Sequence, residues 1–165
     1  VATARRAAAF GMEIVYWNRS ASPAMESETG GTRIADLDEL LASADVVSVH
    51  LPLSADTHGL LDATRLSAMK PGSILVNTAR GAVVDQAALA AALRSGHLSA
   101  AGLDVFEAEP EIPEELRILP NCVVLPHLGS ATREARQAMW DLAAASARAV
   151  LAGDEPPTAV KLPTT

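Results

Sequence analysis

A parallel α/β fold, doubly wound, is what this sequence predicts, and two observations carry the prediction. Short apolar runs alternate with longer amphipathic segments, and the runs are rich in β-branched residues and bounded by turn formers. Unbroken apolar runs suit a parallel sheet covered on both faces. The spacing leaves a helix between most successive strands, which implies right-handed crossovers.

Taken in order, "VATARRAAAFGM" reads as the back half of a helix already under way. The strands are predicted at Glu13–Trp17, Asp45–Val49, Ser73–Val76, Ser99–Val105 and Cys122–Pro126. A helix over "DLDELLASA" places Leu37, Leu40, Leu41 and Ala44 at helical spacing, with Asp36 and Glu39 resembling a capping box. "DATRLSAM" is a weaker helix, stopped by Lys70-Pro71-Gly72. In "DQAALAAALRSG", Asp85 is the N-cap, Leu89, Ala92 and Leu93 share a face, and Gly96 ends the helix. The longest helix runs from Thr132 to about Ala152, with Met139, Leu142, Ser146 and Val150 on one stripe, and Gly153 with Pro156-Pro157 ends it. Ser20–Gly31 and Glu107–Asn121 read as long loops, a place where function often resides.

Composition narrows the function classes. The chain has 165 residues, of which 49% are hydrophobic, enough for a domain with its own core. Aromatic residues are only 3%, so alanine, leucine and valine must fill that core. The net charge of -7 argues against a nucleic-acid or membrane-surface role, though a local positive site would still take an anionic substrate. The single cysteine, Cys122, forms no internal disulfide and suits a reducing compartment; inside an apolar strand it reads as a core residue. No run approaches the roughly 18 apolar residues of a membrane span, and no signal-peptide pattern opens the chain. A soluble cytoplasmic protein without a metal site is expected.

Ligands of open parallel sheets bind outside the carboxyl ends of the strands. The residues there are Asn18-Arg19-Ser20, His50-Leu51-Pro52, Thr78-Ala79-Arg80-Gly81, then Asp104 leading to Glu109, and finally His127. Arg80, Glu109 and His127 should therefore converge on one edge. A histidine exchanges a proton near neutral pH. A carboxylate on its second nitrogen fixes the tautomer and favours the protonated ring. A guanidinium holds a carboxylate by two parallel hydrogen bonds. Together they suit hydride transfer between a nicotinamide and a 2-oxo acid. Each residue also has an ordinary alternative: Arg80 a solvated surface charge, His127 a structural histidine, Glu109 one acid among Glu107, Glu111, Glu114 and Glu115, and Asp104 a turn residue. His50, His58 and His97 read as structural or surface residues.

"NTARGAVVD", "AAGLDVFEAEP" and "LPHLGSAT", in this order and spacing, resemble the D-isomer-specific 2-hydroxyacid dehydrogenase family. The resemblance runs from the first residue to about Gly153 and implies a Rossmann-type dinucleotide-binding domain over residues 1–152. It implies that Arg80 binds the substrate carboxylate and carbonyl, and that Glu109 is hydrogen-bonded to the acid/base His127. Asp104 would lie by the nicotinamide carboxamide, while Leu51, Pro52, Thr57, Thr78, Ala79, Gly129 and Ser130 would line the cofactor cleft. Within the family, "LPHLGSATREARQAM" and "VFEAEPEIPEEL" look most similar to glyoxylate/hydroxypyruvate reductases. Related formate dehydrogenases carry glutamine at the position of Glu109. The alternative is a dinucleotide-sensing, corepressor-like binding protein of the same fold. Family members commonly form homodimers through the nucleotide domain, which is the expected state here.

Cofactor choice turns on the loop after the first strand. NAD-preferring sites place Asp or Glu there for the ribose 2′-hydroxyl, whereas NADP sites often use arginine for the 2′-phosphate. Here stand Asn18, Arg19 and Ser20, with no carboxylate, so NADP(H) is expected over NAD(H). The chain departs from the family pattern at its start: it contains neither the first strand nor the G-x-G-x-x-G turn. The sheet should therefore show a gap or a raw edge where that strand belongs. The family's substrate domain is also absent, and 153–165 would lead back toward it. This chain by itself is expected to be inactive.

Overall fold

The computed structural model describes residues 1–160. They form two compact units, Val1–Pro126 and a second that begins at His127. The boundary falls inside the span 1–152 expected for one domain, and each unit is described by itself. Of the expected C-terminal segment, residues 161–165 lie outside the described residues.

In chain order the first unit contains α1 (Ala2–Ala9), β1 (Val15–Tyr16), α2 (Pro23–Thr29), β2 (Thr32–Arg33), α3 (Leu37–Ser43), β3 (Val46–Val49) and α4 (Ala63–Ala68). It continues through β4 (Ile74–Asn77), a single 3-10 turn (Gly81–Val83), α5 (Gln86–Arg94), β5 (Ala100–Leu103), α6 (Glu114–Arg117) and β6 (Cys122–Val124). β3, β4, β5 and β6 lie side by side in one parallel sheet. β1 and β2 pair in a separate parallel sheet, and β1 does not pair with β3. The expected gap in the sheet thus lies between β1 and β3.

Register explains the core. Val47, Leu75, Ala101 and Cys122 stand in one row, and Val49, Asn77, Leu103 and Val124 in the next row on the same face. Against these pack Leu40 and Leu41 of α3, Leu66 of α4, Leu89, Ala90 and Leu93 of α5, and Leu116 of α6. Leu41, Leu75, Leu89, Leu98 and Leu116 are fully buried, so leucine fills the volume that the scarce aromatics leave. The two faces are unequally buried: on the other, Val46 and Ser48 are exposed, and Ile74, Val76, Ala100 and Gly102 half-buried.

Helix ends follow local chemistry. Asp85 caps α5 by accepting from the Ala88 N–H at 3.0 Å, and Asp62 caps α4 through the Arg65 N–H at 2.9 Å. Asp36 caps α3, its bond coming from the Asp38 N–H at 2.8 Å. Gly96, at φ +74°, lets the chain leave α5 in the left-handed region that side chains disfavour.

Three expectations need correcting. Residues 20–31 are not a loop throughout, because α2 occupies Pro23–Thr29, with Pro23 in its first turn and Gly30 at φ +66° as its stop. Residues 107–121 contain α6. Cys122 is half-buried on the edge strand rather than in the core, and burial pushes its thiol pKa up.

The second unit is built on α7 (Arg133–Ala152), capped by Thr132 through the Ala135 N–H at 3.1 Å and ended by Gly153 at φ +82°. Its expected apolar stripe is not buried: Met139, Leu142 and Val150 are 53%, 47% and 60% exposed. Among the described residues no helix is long and apolar enough to cross a membrane.

Candidate active site

The first unit gathers its candidate residues at the carboxyl ends of β3, β4 and β5. Leu51, Pro52, Thr78, Ala79 and Arg80 line one open groove of about 530 Å3, together with His50 and Leu53. Arg80 is exposed, and its Nη1 donates to the Ala79 carbonyl at 2.6 Å. No carboxylate forms an ion pair with it among the described residues. The cation therefore stands on the groove with most of its N–H fork available to an anion.

Two residues that sequence reasoning passed over hold Arg80 in place. Asn77 closes β4 and is only 1% exposed. Its Oδ1 accepts from the Ala79 N–H and its Nδ2 donates to the Arg80 carbonyl, both at 3.0 Å. The Asp104 N–H donates to the Asn77 carbonyl at 3.0 Å, continuing the β4–β5 ladder to the buried Asp104. Asn77 thus shapes the turn that presents the cation. Removing its amide leaves a backbone donor and an acceptor without partners, so Asn77→Ala is expected to cost about 2 kcal/mol of stability. Urea denaturation reads this as a lowered midpoint; an unchanged midpoint would refute the bracing role.

Gly81 is the second. A Cβ built there would lie 2.0 Å from the Phe106 carbonyl carbon and 2.4 Å from the Glu107 nitrogen. The loop after β4 and the loop after β5 therefore meet backbone to backbone. Glu109 lies in the second loop, and its Oε1 accepts from the Phe106 N–H at 2.9 Å. The carboxylate thus braces its own loop.

Other candidates are placed as follows. Thr57 Oγ1 donates to the Pro52 carbonyl at 2.6 Å and accepts from the Ser54 N–H at 2.8 Å, closing the loop that carries Leu51 and Pro52. His50, read from sequence as a structural or surface residue, lines the groove, with Nε2 2.9 Å from the Ser48 hydroxyl. Burial, and secondarily the N-terminal charge, lowers its pKa, so the neutral ring is favoured. The signal was present: His50 follows β3 directly. Asn18, Arg19 and Ser20 are exposed beyond β1 and are not among the residues that line this groove.

In the second unit, His127, Ser130, Arg136, Met139 and Trp140 line a separate open groove of about 490 Å3. Gly129 lies in the turn between His127 and α7 and is exposed. His127 has φ 54°, the only non-glycine residue in the left-handed region among those described. That conformation costs a β-carbon residue roughly 1–2 kcal/mol, and such strain gathers at functional positions.

Comparison with known proteins identifies the family. Residues 1–129 match the family model described as "D-isomer specific 2-hydroxyacid dehydrogenase, NAD binding domain". The chain belongs to that family. Glyoxylate reductase of Thermococcus litoralis is 46% identical over 96% of this chain and 48% of its own length. D-3-phosphoglycerate dehydrogenase of Mycobacterium tuberculosis is 47% identical over 96% of this chain and 30% of its own length. Among solved structures, the NADPH-dependent glyoxylate/hydroxypyruvate reductase of Sinorhizobium meliloti, in complex with NADP and malonate, superposes with a TM-score of 0.88. It is 40% identical, with 96% of this chain and 49% of that one covered. The chain spans about half the length of the glyoxylate reductase it matches. A Rossmann-type, NAD(P)-binding α/β unit of a 2-hydroxyacid dehydrogenase is the resulting class.

Proposed function

We propose that this chain is the dinucleotide-binding part of an NADP(H)-linked oxidoreductase that reduces a small 2-oxo acid, glyoxylate or hydroxypyruvate, to the 2-hydroxy acid. The observation that carries the reading is Arg80: an exposed guanidinium with no acidic partner among the described residues, on an open groove at the strand ends. A planar fork of that kind takes the carboxylate of a 2-oxo acid by two parallel hydrogen bonds and polarises the neighbouring carbonyl. His127 gives its proton to the carbonyl oxygen as the carbon is reduced, and Glu109 orients the imidazole. The dinucleotide, when bound, supplies the hydride.

The residues present fit such a cofactor at its two ends. In the first unit Asp104, Thr78, Ala79, Leu51, Pro52 and the Thr57-braced loop follow the strand ends, the edge that would receive a nicotinamide; Gly129 and Ser130 of the second unit are assigned to the cofactor by the family resemblance alone. At the adenosine end, Asn18, Arg19 and Ser20 offer a cation and polar groups and no carboxylate to repel a phosphate. Arg19→Ala, made in the complete polypeptide that carries this sequence, is expected to weaken NADPH binding about tenfold or more while leaving NADH within a factor of about two. Equal losses for both would overturn the cofactor preference. The parent enzyme is read as a cytoplasmic homodimer, which the lone cysteine suits.

A further inference from the structure

We propose that Arg33 is the positioning residue for Arg19 and the second cation of the 2′-phosphate site; the inference rests on the NADP(H) reading above. Arg33 ends β2, which pairs with β1 in the register Tyr16↔Arg33. Its side chain reaches the loop that leaves β1. Nε donates to the Asn18 carbonyl at 3.3 Å, while Nη2 donates to the same oxygen at 2.9 Å and to the Arg19 carbonyl at 3.4 Å. Two successive peptide carbonyls are thereby fixed by one rigid fork, and the Arg19 side chain departs from the backbone between them. A lysine would bring the charge without the fork.

The charges around it point to an anion. Arg33 forms no ion pair among the described residues. The carboxylates near it in sequence are engaged elsewhere: Asp36 caps α3, Asp38 pairs with Arg65, Glu26 accepts from the Tyr16 hydroxyl at 2.9 Å, and Glu28 pairs with Arg5. Tyr16 also accepts from the Ser22 N–H at 2.9 Å, so the far end of the same loop is tied down. Arg19 on the loop and Arg33 bound to that loop from β2 bring two cations to it, and an anion there would be attracted by both. A phosphomonoester, carrying close to two negative charges at neutral pH, is such an anion; a ribose hydroxyl is not.

The test is calorimetric titration of the complete polypeptide with adenosine 2′,5′-bisphosphate and with 5′-AMP. Arg33→Ala is expected to weaken the bisphosphate about tenfold and leave 5′-AMP within about twofold. Arg33→Lys, which keeps the charge and the stem, is expected to recover only part of the loss. No change for the bisphosphate, an equal loss for both ligands, or full recovery by lysine would overturn the positioning role. Arg19→Ala separates the two levels. If it leaves the bisphosphate preference intact, the NADP(H) reading falls and this inference with it. If it abolishes the preference while Arg33→Ala does not, that reading stands and the inference alone falls. Should Arg33→Ala lower the thermal midpoint, Arg33→Lys decides the question in a folded protein.

Discussion

His127→Asn in the complete enzyme is expected to lower turnover about 100- to 10,000-fold, the range a positioned acid/base contributes, without loss of stability. The two halves of that result have separate causes. Asparagine cannot donate the proton the reduction needs, so kcat falls. The backbone at φ 54° is left-handed, a region that asparagine, like histidine, tolerates better than most residues. The His127 side chain is exposed, so the substitution empties no core volume. Stability should stay within about 1 kcal/mol of the wild type. Turnover and the urea midpoint measured on the same preparation check both halves. Retained turnover would remove His127 from the chemistry; a collapse of the midpoint would make it a structural histidine.

Gly81→Ala is expected to have the second large effect, and here on folding first. The residue after Arg80 is a glycine for lack of space. An added Cβ would stand 2.0 Å from the Phe106 carbonyl carbon and 2.3 Å from its oxygen, both backbone atoms that no rotamer change can move aside. The loops after β4 and β5 must separate to admit it. Phe106, Val83 and Val84 are buried beside this contact, so separation also opens the core. A cost of about 3 kcal/mol follows from overpacking of this severity. That would lower the urea midpoint by about 1–2 M for a domain of this size. Because Arg80 rides on the displaced loop, the KM for the 2-oxo acid should rise as well. A neutral Gly81→Ala would mean that the two loops are not in the contact described.

These two residues show what the sequence made legible. The apolar runs located strands β3 to β6 because each is long enough to declare itself. Asp85, Thr132, Gly96 and Gly153 marked helix ends because capping is local chemistry. The same logic placed Arg80 at a strand end. α2 was hidden because "PAMESET" carries no apolar stripe, although the Pro23 start and Gly30 stop were in view. β2 is two residues long, too short for any periodicity. The residues that brace the site were illegible for a different reason. Asn77 acts on the carbonyl and N–H groups of a turn, Gly81 acts by absence against a loop 25 residues away, and Arg33 acts on carbonyls 14 and 15 residues back. None of these partners announces itself in a sequence pattern.

The central claim is that Arg80 holds the carboxylate of a small 2-oxo acid for NADPH-linked reduction. It is tested most directly by following NADPH oxidation by the complete polypeptide with glyoxylate, hydroxypyruvate and a phosphorylated 2-oxo acid, for the wild type and Arg80→Gln. The account predicts turnover with the two small unphosphorylated acids, and a loss of at least about 100-fold in kcat/KM on removing the guanidinium. NADPH binding without oxidation by any of them, a clear preference for the phosphorylated acid, or an Arg80→Gln variant as active as the wild type would contradict it.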